Sequence, residues 1–214
     1  VNALSTPWGQ EDFATAVRAK PDGILVPKIQ AADDVRLALN DLGESGAALW
    51  MMIETPRAIL DIACIAAAAT NARKGAFVMG LNDLAKETRA RLGGDRAPFH
   101  AAMSMTVTAA RTYGLTVIDG VFNDIADAAG FEAECRQALE FGYDGKTLIH
   151  PSQIETANTV FAPSAHEVAR AQAVIAAFAL PENAGKGVIK VDGRMTELLH
   201  LEEARRVVTV AEAI

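Results

Sequence analysis

Cysteine is scarce in this sequence, with only Cys64 and Cys135 among 214 residues. Neither has a second cysteine or a histidine at the spacing of a metal ligand, and both lie in alanine-rich stretches with a helical pattern. This composition argues against a cysteine-ligated metal site and a disulfide framework, which need several such residues at short spacings. We predict two buried, reduced thiols in the core and a cytoplasmic location.

Basic residues are also few. There are 20 Lys and Arg against 27 Asp and Glu, which gives a formal net charge of -7. Without a basic excess to neutralise phosphates, the chain is not expected to bind nucleic acid or an anionic membrane. Residues 1–5 carry no basic export segment, and no stretch reaches the roughly 18 consecutive apolar residues of a membrane span. We therefore expect neither a membrane segment nor an export signal.

What the sequence does have is an alternation of apolar strands and amphipathic helices, in a chain of which 50% is hydrophobic. Apolar runs bounded by turn residues predict strands, and a period near 3.6 predicts helices. The predicted strands are 1–4, 23–27, 47–54, 75–80, 115–119 and 145–150. The predicted helices between them are 11–19, 32–41, 56–71, 98–113 and 131–141.

This βα alternation predicts an α/β fold with a parallel sheet. A (β/α)₈ TIM barrel has eight strands, and about six are visible here, so we expect about two βα units to precede Val1. The alternative is an open sheet of six strands with a doubly wound order. Residues 1–154 form the predicted barrel domain, N-terminally incomplete.

Residues 155–214 form a predicted C-terminal extension, either a lid over the barrel mouth or a subunit contact. Helical stretches at 152–161 and 165–180 precede a loop at 181–187 that is rich in turn residues. Residues 188–191 and the turn pair Asp192-Gly193 resemble half of a small hairpin, and 200–214 is predicted to be an amphipathic helix.

Two acidic residues close neighbouring strands of the predicted sheet. Glu54 follows the apolar run 49–53, and Asp83 follows the run 75–82. The C-terminal ends of parallel barrel strands share the face where such enzymes keep their active sites. Mg²⁺ takes oxygen ligands and commonly uses one or two carboxylates, so Glu54 and Asp83 are predicted metal ligands. The alternative is that either acid only caps the next helix.

Three segments together resemble a known family. They are MIETPRA at 52–58, GLNDLA at 80–85 and GKTLIHPSQI at 145–154, with TPWG at 6–9 and GILVPK at 23–28 in support. In this order they are similar to the citrate lyase beta-subunit-like branch of the HpcH/HpaI aldolase family. The resemblance implies a (β/α)₈ barrel, a homo-oligomer such as a trimer or hexamer, and Mg²⁺ as cofactor. It implies cleavage or formation of a carbon–carbon bond in a 3-hydroxy-acyl-CoA of the malyl-CoA, citramalyl-CoA or citryl-CoA type, with acyl-CoA and 2-oxo acid substrates.

The resemblance also assigns residues. Glu54 and Asp83 match the metal ligands, and Glu54 is expected to border the substrate as well. Backbone N–H groups around Leu81 and Asn82 are expected to hold the 2-oxo acid carboxylate at a helix N-terminus. Lys28, at a strand end, is either a substrate contact or a rim lysine paired with an acid.

Other positions match the family less simply. His150 is expected to be structural, and a position beside the CoA moiety stays open. Asp119 either shapes the pocket or is a turn residue. The arginine that the family carries just before the segment that begins here at Val1 is not in this sequence. In the tail, Glu197 takes the position of a lid aspartate and is the predicted catalytic acid or base; Leu199 replaces the proline that follows in the family.

Two other functions stay open on the sequence. One is a pyruvate-type aldolase that does not use CoA, which activity on free hydroxy-oxo acids would reveal. The other is a non-catalytic barrel that binds CoA or an acid.

Overall fold

The computed structural model describes residues 1–72 and 74–214, and they divide into two compact units, Val1–Val160 and Phe161–Ile214. The predicted division after residue 154 lies at the start of the helix Ile154–Phe161. Each unit is described by itself below.

The first unit alternates strands and helices. The strands are β1 Gly23–Val26, β2 Ala48–Ile53, β3 Ala76–Met79, β4 Thr116–Asp119 and β5 Gly145–Lys146. The α-helices are α1 Gly9–Ala19, α2 Ala32–Leu42, α3 Pro56–Leu60, α4 Ile62–Ala68, α5 Leu81–Thr88, α6 His100–Thr112, α7 Ala128–Phe141 and α8 Ile154–Phe161. Short 3₁₀ turns lie at Ala69–Asn71, Ala97–Phe99 and Pro151–Gln153.

The five strands form one parallel sheet in the order β1-β2-β3-β4-β5. Each strand pairs with the next along the chain, which is how a singly wound barrel is built. A doubly wound sheet would reverse its strand order at a switch point. The prediction of the α/β barrel class is thus confirmed, and the doubly wound alternative is wrong. That about two βα units precede Val1 stays a prediction.

Two predicted strands differ from the structure. Residues 1–4 are not a strand: the chain turns there, with Thr6 N–H donating to Ala3 O at 2.9 Å. The last strand, predicted over 145–150, ends at Lys146. Beyond it, Thr147 N–H still donates to Asp119 O at 3.0 Å, and Ile149 N–H then donates to the Gln153 side chain at 3.0 Å. The predicted helix 56–71 is divided at Asp61 into α3 and α4.

The two faces of the sheet differ in their surroundings. Leu49, Met51 and Ile53 of β2 are fully buried against the helices. Trp50 points to the other face and is 41% exposed. There it lines an open trough of about 900 Å³ with Leu25 and Ile118, toward the N-terminal strand ends. The apolar run of β2 therefore predicts a strand correctly, but Trp50 is exposed and Met52 is only half-buried.

A buried ion-pair network fastens the end of β4 to the helices behind it. Asp119 is fully buried and accepts hydrogen bonds from Arg96 Nη1 at 2.8 and 3.0 Å and from Lys146 Nζ at 2.8 Å. Lys146 Nζ also donates to Glu134 Oε1 and Gly120 O, both at 2.6 Å. Asp119 is therefore neither a pocket residue nor a simple turn residue, because its carboxylate forms ion pairs with the buried side chains of Arg96 and Lys146.

The two cysteines lie in different environments. Cys135 is buried, as predicted, and burial raises the pKa of its thiol to about 11. Cys64 is exposed, so the prediction of a buried thiol is wrong there. Helix α4 buries Ile62, Ile65 and Ala66 and turns Cys64 away from that face. The alanine-rich pattern did not distinguish the two sides.

The second unit holds α9 Ala165–Ala179, a 3₁₀ turn at Pro181–Asn183, β6 Val188–Val191, β7 Arg194–Glu197 and α10 Leu198–Glu212. Its core joins Ala171 and Val174 of α9 to Ala204 of α10. The predicted hairpin is present: β6 and β7 pair antiparallel, and Asp192 and Gly193 both have positive φ, as a tight two-residue hairpin turn requires. In the described part of the chain, no helix has the length and apolar character needed to span a membrane.

The network around Asp119 gives a stability prediction. Asp119→Ala should lower the free energy of unfolding by roughly 3 kcal/mol, because two buried cations would then share only Glu134. Urea denaturation measures it. The matched control is Asp33→Ala, which removes an exposed partner of Arg36 and should change stability by less than about 1 kcal/mol. Equal losses in the two variants would contradict the prediction.

Candidate metal and substrate site

Glu54 follows β2 directly and is only 3% exposed. The backbone N–H of Lys28, just beyond β1, donates to Glu54 Oε1 at 2.8 Å. Gly80 makes room on the other side: a Cβ at this position would overlap Glu54 Cβ and lie 2.8 Å from Oε2. The carboxylate is thus held between the C-terminal ends of β1 and β3. The next residue, Thr55, caps α3 by accepting a hydrogen bond from Ala58 N–H at 3.1 Å.

Asp83 reaches the same point from the first turn of α5. Its Oδ1 lies 2.6 Å from Lys28 Nζ, and the same Nζ lies 3.8 Å from Glu54 Oε1. The side chain of Asp83 is 42% exposed and that of Lys28 is 32% exposed. The Glu54 carboxylate is therefore buried and held in place, and the Asp83 carboxylate is partly exposed to solvent.

The charges of the site shift one another's pKa values. Burial raises the pKa of Glu54, and the Lys28 N–H and ammonium offset this only in part. The hydrogen bond from Lys28 lowers the pKa of Asp83 despite some burial. Burial alone would lower the pKa of Lys28, but its hydrogen bond to Asp83 and the nearby carboxylates raise it overall. The two acids thus differ in proton affinity and share one cationic partner.

The N-terminus of α5 borders this pair. Leu81, Asn82 and Asp83 are its first three residues, so their N–H groups have no acceptor within the helix; the first such bond runs from Leu84 N–H to Gly80 O at 3.1 Å. Leu81 is buried, and Asn82 is exposed. These donors and the positive end of the helix dipole favour an anion.

The oxygen-rich pair fits a hard divalent cation. In residues 1–72 and 74–214, no three His, Cys, Asp or Glu side chains come together as a metal cluster. Mg²⁺ does not need one, because it commonly binds through one or two carboxylates and keeps water or substrate oxygens on its other positions. Glu54 and Asp83 are therefore chemically suitable ligands for Mg²⁺.

The structure brings together most of the predicted site residues: Lys28, Glu54, Leu81, Asn82 and Asp83. Glu197 lies in the second unit, as the residue before α10, and its N–H donates to His200 Nδ1 at 2.9 Å. Its catalytic role stays a prediction. His150 accepts from Ser152 N–H at 3.2 Å and so caps a short 3₁₀ turn, which fits the structural role expected for it.

Sequence reasoning missed Asn123, on the loop after β4. Asn82 and Asn123 exchange two side-chain amide hydrogen bonds, at 2.8 and 3.0 Å, which join the start of α5 to this loop. The available signal was position, since Asn123 follows the end of its strand much as Asp83 follows β3. Gly80 was also missed, and only the close approach to Glu54 reveals its role.

Comparison with known proteins identifies the family. Residues 1–151 match the model of the HpcH/HpaI aldolase/citrate lyase family, and the chain belongs to this family. A (3S)-malyl-CoA thioesterase of Cereibacter sphaeroides is 45% identical over 217 aligned residues, which cover 100% of this chain and 73% of the relative. An L-malyl-CoA/beta-methylmalyl-CoA lyase of the same species is 30% identical and is covered to 76%, again over 100% of this chain.

A solved structure agrees in fold. Protein CitE from Mycobacterium tuberculosis, in complex with magnesium, acetoacetate and coenzyme A, is 26% identical and superimposes with a TM-score of 0.75. The match covers 99% of this chain and 76% of that one. The protein is thus a member of a family of enzymes in which lyases and a thioesterase of CoA-linked acids are both represented.

The role of Gly80 can be tested by a single methyl group. Gly80→Ala should lower the free energy of unfolding by about 1–3 kcal/mol, because the added Cβ overlaps Glu54 Cβ in a packed region. Gly93→Ala is the matched control, since a Cβ there meets no atom within 4 Å. Thermal unfolding of both variants measures the difference in their stability. If Gly80→Ala is as stable as Gly93→Ala, Glu54 is less confined than its contacts indicate.

Proposed function

We propose that this protein is a Mg²⁺-dependent enzyme acting on short 3-hydroxy-acyl-CoA thioesters of the malyl type, and that its reaction is hydrolysis of the thioester. The observation that carries the proposal is the pairing of Glu54 and Asp83 at the C-terminal strand ends, beside the N-terminus of α5. The 45% identity to a malyl-CoA thioesterase favours hydrolysis over the other chemistry of the family.

Each group at the site has a defined task in this proposal. Glu54 and Asp83 would hold Mg²⁺, which when bound supplies a Lewis acid for a substrate oxygen that gains negative charge. The N–H groups of Leu81 and Asn82 bind the free carboxylate of the malyl group and fix its orientation. The buried position of Glu54 keeps water away from one side of the site, which strengthens electrostatic interactions there.

The hydrolytic reaction needs a group that handles protons. Water adds to the thioester carbonyl carbon, the C–S bond breaks, and CoA leaves as a thiol while malate is released. A general base takes a proton from the attacking water, and a carboxylate is suited to this task. Glu197 is the proposed base, by its match to the lid position of the family.

Carbon–carbon cleavage is the second candidate, supported by the 30% identity to a malyl-CoA lyase. In this reaction the hydroxyl proton leaves, the bond between the hydroxyl-bearing carbon and the carbon next to the thioester carbonyl breaks, and glyoxylate and the enolate of acetyl-CoA form. Glu197 would then protonate that carbon of the enolate to give acetyl-CoA. The Glu54–Asp83 pair and the N-terminus of α5 would serve either reaction. Assembly as a trimer or hexamer, a cytoplasmic location and the lid role of the tail stay predictions.

The two reactions release different products from malyl-CoA. With Mg²⁺, the protein should release a free CoA thiol and malate in equal amounts, and a chelator should abolish this. A thiol reagent measures the free CoA thiol, and a glyoxylate assay on the same sample measures the lyase product. Glyoxylate without thiol would assign the lyase reaction instead. No product of either kind would contradict the proposed function.

Control variants connect this activity to the site. Glu54→Ala should lower turnover on the order of 10²-fold or more, since a hard cation loses one of two protein ligands. Glu87→Ala removes an exposed acid from α5 and should leave turnover within about twofold. Similar losses in both would show that total charge matters more than the Glu54–Asp83 pair.

Glu197 has its own test. Glu197→Gln keeps the shape but removes the proton-transfer group, so turnover should fall on the order of 10²-fold while KM changes little. The matched control is Glu202→Gln on α10, the helix that directly follows Glu197. A fall in Glu202→Gln as large as that in Glu197→Gln would contradict a catalytic role. So would an unchanged Glu197→Gln variant at saturating Mg²⁺.

A further inference from the structure

Lys28 contacts both carboxylates of the candidate site with two different groups. Its ammonium lies 2.6 Å from Asp83 Oδ1 and 3.8 Å from Glu54 Oε1. Its backbone N–H donates to the same Glu54 Oε1 at 2.8 Å. The ammonium therefore engages the oxygens that a divalent cation held by Glu54 and Asp83 would need.

The backbone of Lys28 is unusual in a way that makes this possible. Its φ is +57°, in the left-handed region that residues other than glycine seldom adopt. With this conformation at the end of β1, the N–H and the side chain of one residue both reach the carboxylate pair. A conformation that is unfavourable for lysine is thus retained where its two donors meet two acids.

The two contacts differ in how easily they break. The N–H contact is fixed by the backbone and joins a carboxylate that is only 3% exposed. The ammonium contact lies at the edge of water, on a flexible four-carbon stem, with Asp83 and Lys28 both partly exposed. The ammonium is therefore able to swing into water while the N–H keeps Glu54 in place.

We propose that the Lys28 ammonium is an internal cation that competes with the divalent metal for Asp83 and Glu54 and so limits the metal affinity of the site. The proposal rests on the proposed function in taking these two acids as the metal ligands. Because the ammonium must leave before a cation takes both carboxylates, the apparent affinity for metal is reduced by the fraction of sites that the ammonium occupies. A role of Lys28 in substrate contact alone predicts no such effect.

Calorimetric titration with Mg²⁺ tests the competition. In Lys28→Met, the Kd for Mg²⁺ should fall on the order of tenfold, because a contacting positive charge is removed. Methionine keeps an unbranched side chain, so the strain at φ +57° is nearly matched. Lys86→Met is the control: Lys86 is exposed on α5, and its charge acts on Asp83 without a hydrogen bond, so its Kd should fall less than about threefold.

Lys28→Asn is a second variant, since asparagine tolerates positive φ and is neutral and short. It should tighten Mg²⁺ binding as Lys28→Met does, and far-UV circular dichroism checks that both variants fold. An unchanged or weaker affinity in both Lys28 variants, or equal tightening in Lys86→Met, would overturn the competition while leaving the proposed function intact. If neither the parent nor the Lys28 variants bind Mg²⁺, both proposals fail.

Discussion

Burial of the Glu54 carboxylate is the constraint on which the site depends. The residue is only 3% exposed, and an isolated buried charge is strongly unfavourable. The structure offsets this with the Lys28 N–H, the nearby ammonium and the space left by Gly80. All three come from strand ends adjacent to β2, so the parallel order of the sheet and the chemistry of the site are specified together.

The fold is predictable from the sequence where local pattern and tertiary neighbours agree. Runs such as 49–53 become strands because apolar residues are buried on the helix side, and the turn pair Asp192-Gly193 supplies the backbone geometry of the hairpin. Residues 1–4 have a similar apolar content but form a turn, because a strand also needs a hydrogen-bonded neighbour. The prediction that Cys64 is buried was wrong for a related reason: in an alanine-rich helix, composition does not show which side of the helix faces the core.

The site is predictable to the extent that it follows from strand ends. Glu54 directly follows β2 and Asp83 lies in the first turn of the helix after β3, so a parallel sheet brings them together, and both contact Lys28. The network around Asp119 was beyond reach, because its partners come from segments distant in sequence; Asn123, in contrast, could have been found from its position after β4. Arg96 and Asp119, for example, are separated by 23 residues and by all of α6. No local pattern marks such a pair.

The network around Asp119 and the Glu54–Asp83 site use charge in opposite ways. Behind the sheet, Asp119 and Glu134 are matched by Arg96 and Lys146, all largely buried and hydrogen-bonded, so no charge is left for a ligand. At the C-terminal strand ends, Glu54 and Asp83 both face the ammonium of Lys28, whose side chain is partly exposed to solvent. A closed, balanced network rigidifies the end of β4 and the loop that carries Asn123. The incomplete network at the end of β2 leaves a net negative charge that a cation can neutralise. The network around Asp119 therefore belongs to the scaffold, and the Glu54–Asp83 pair belongs to the candidate active site.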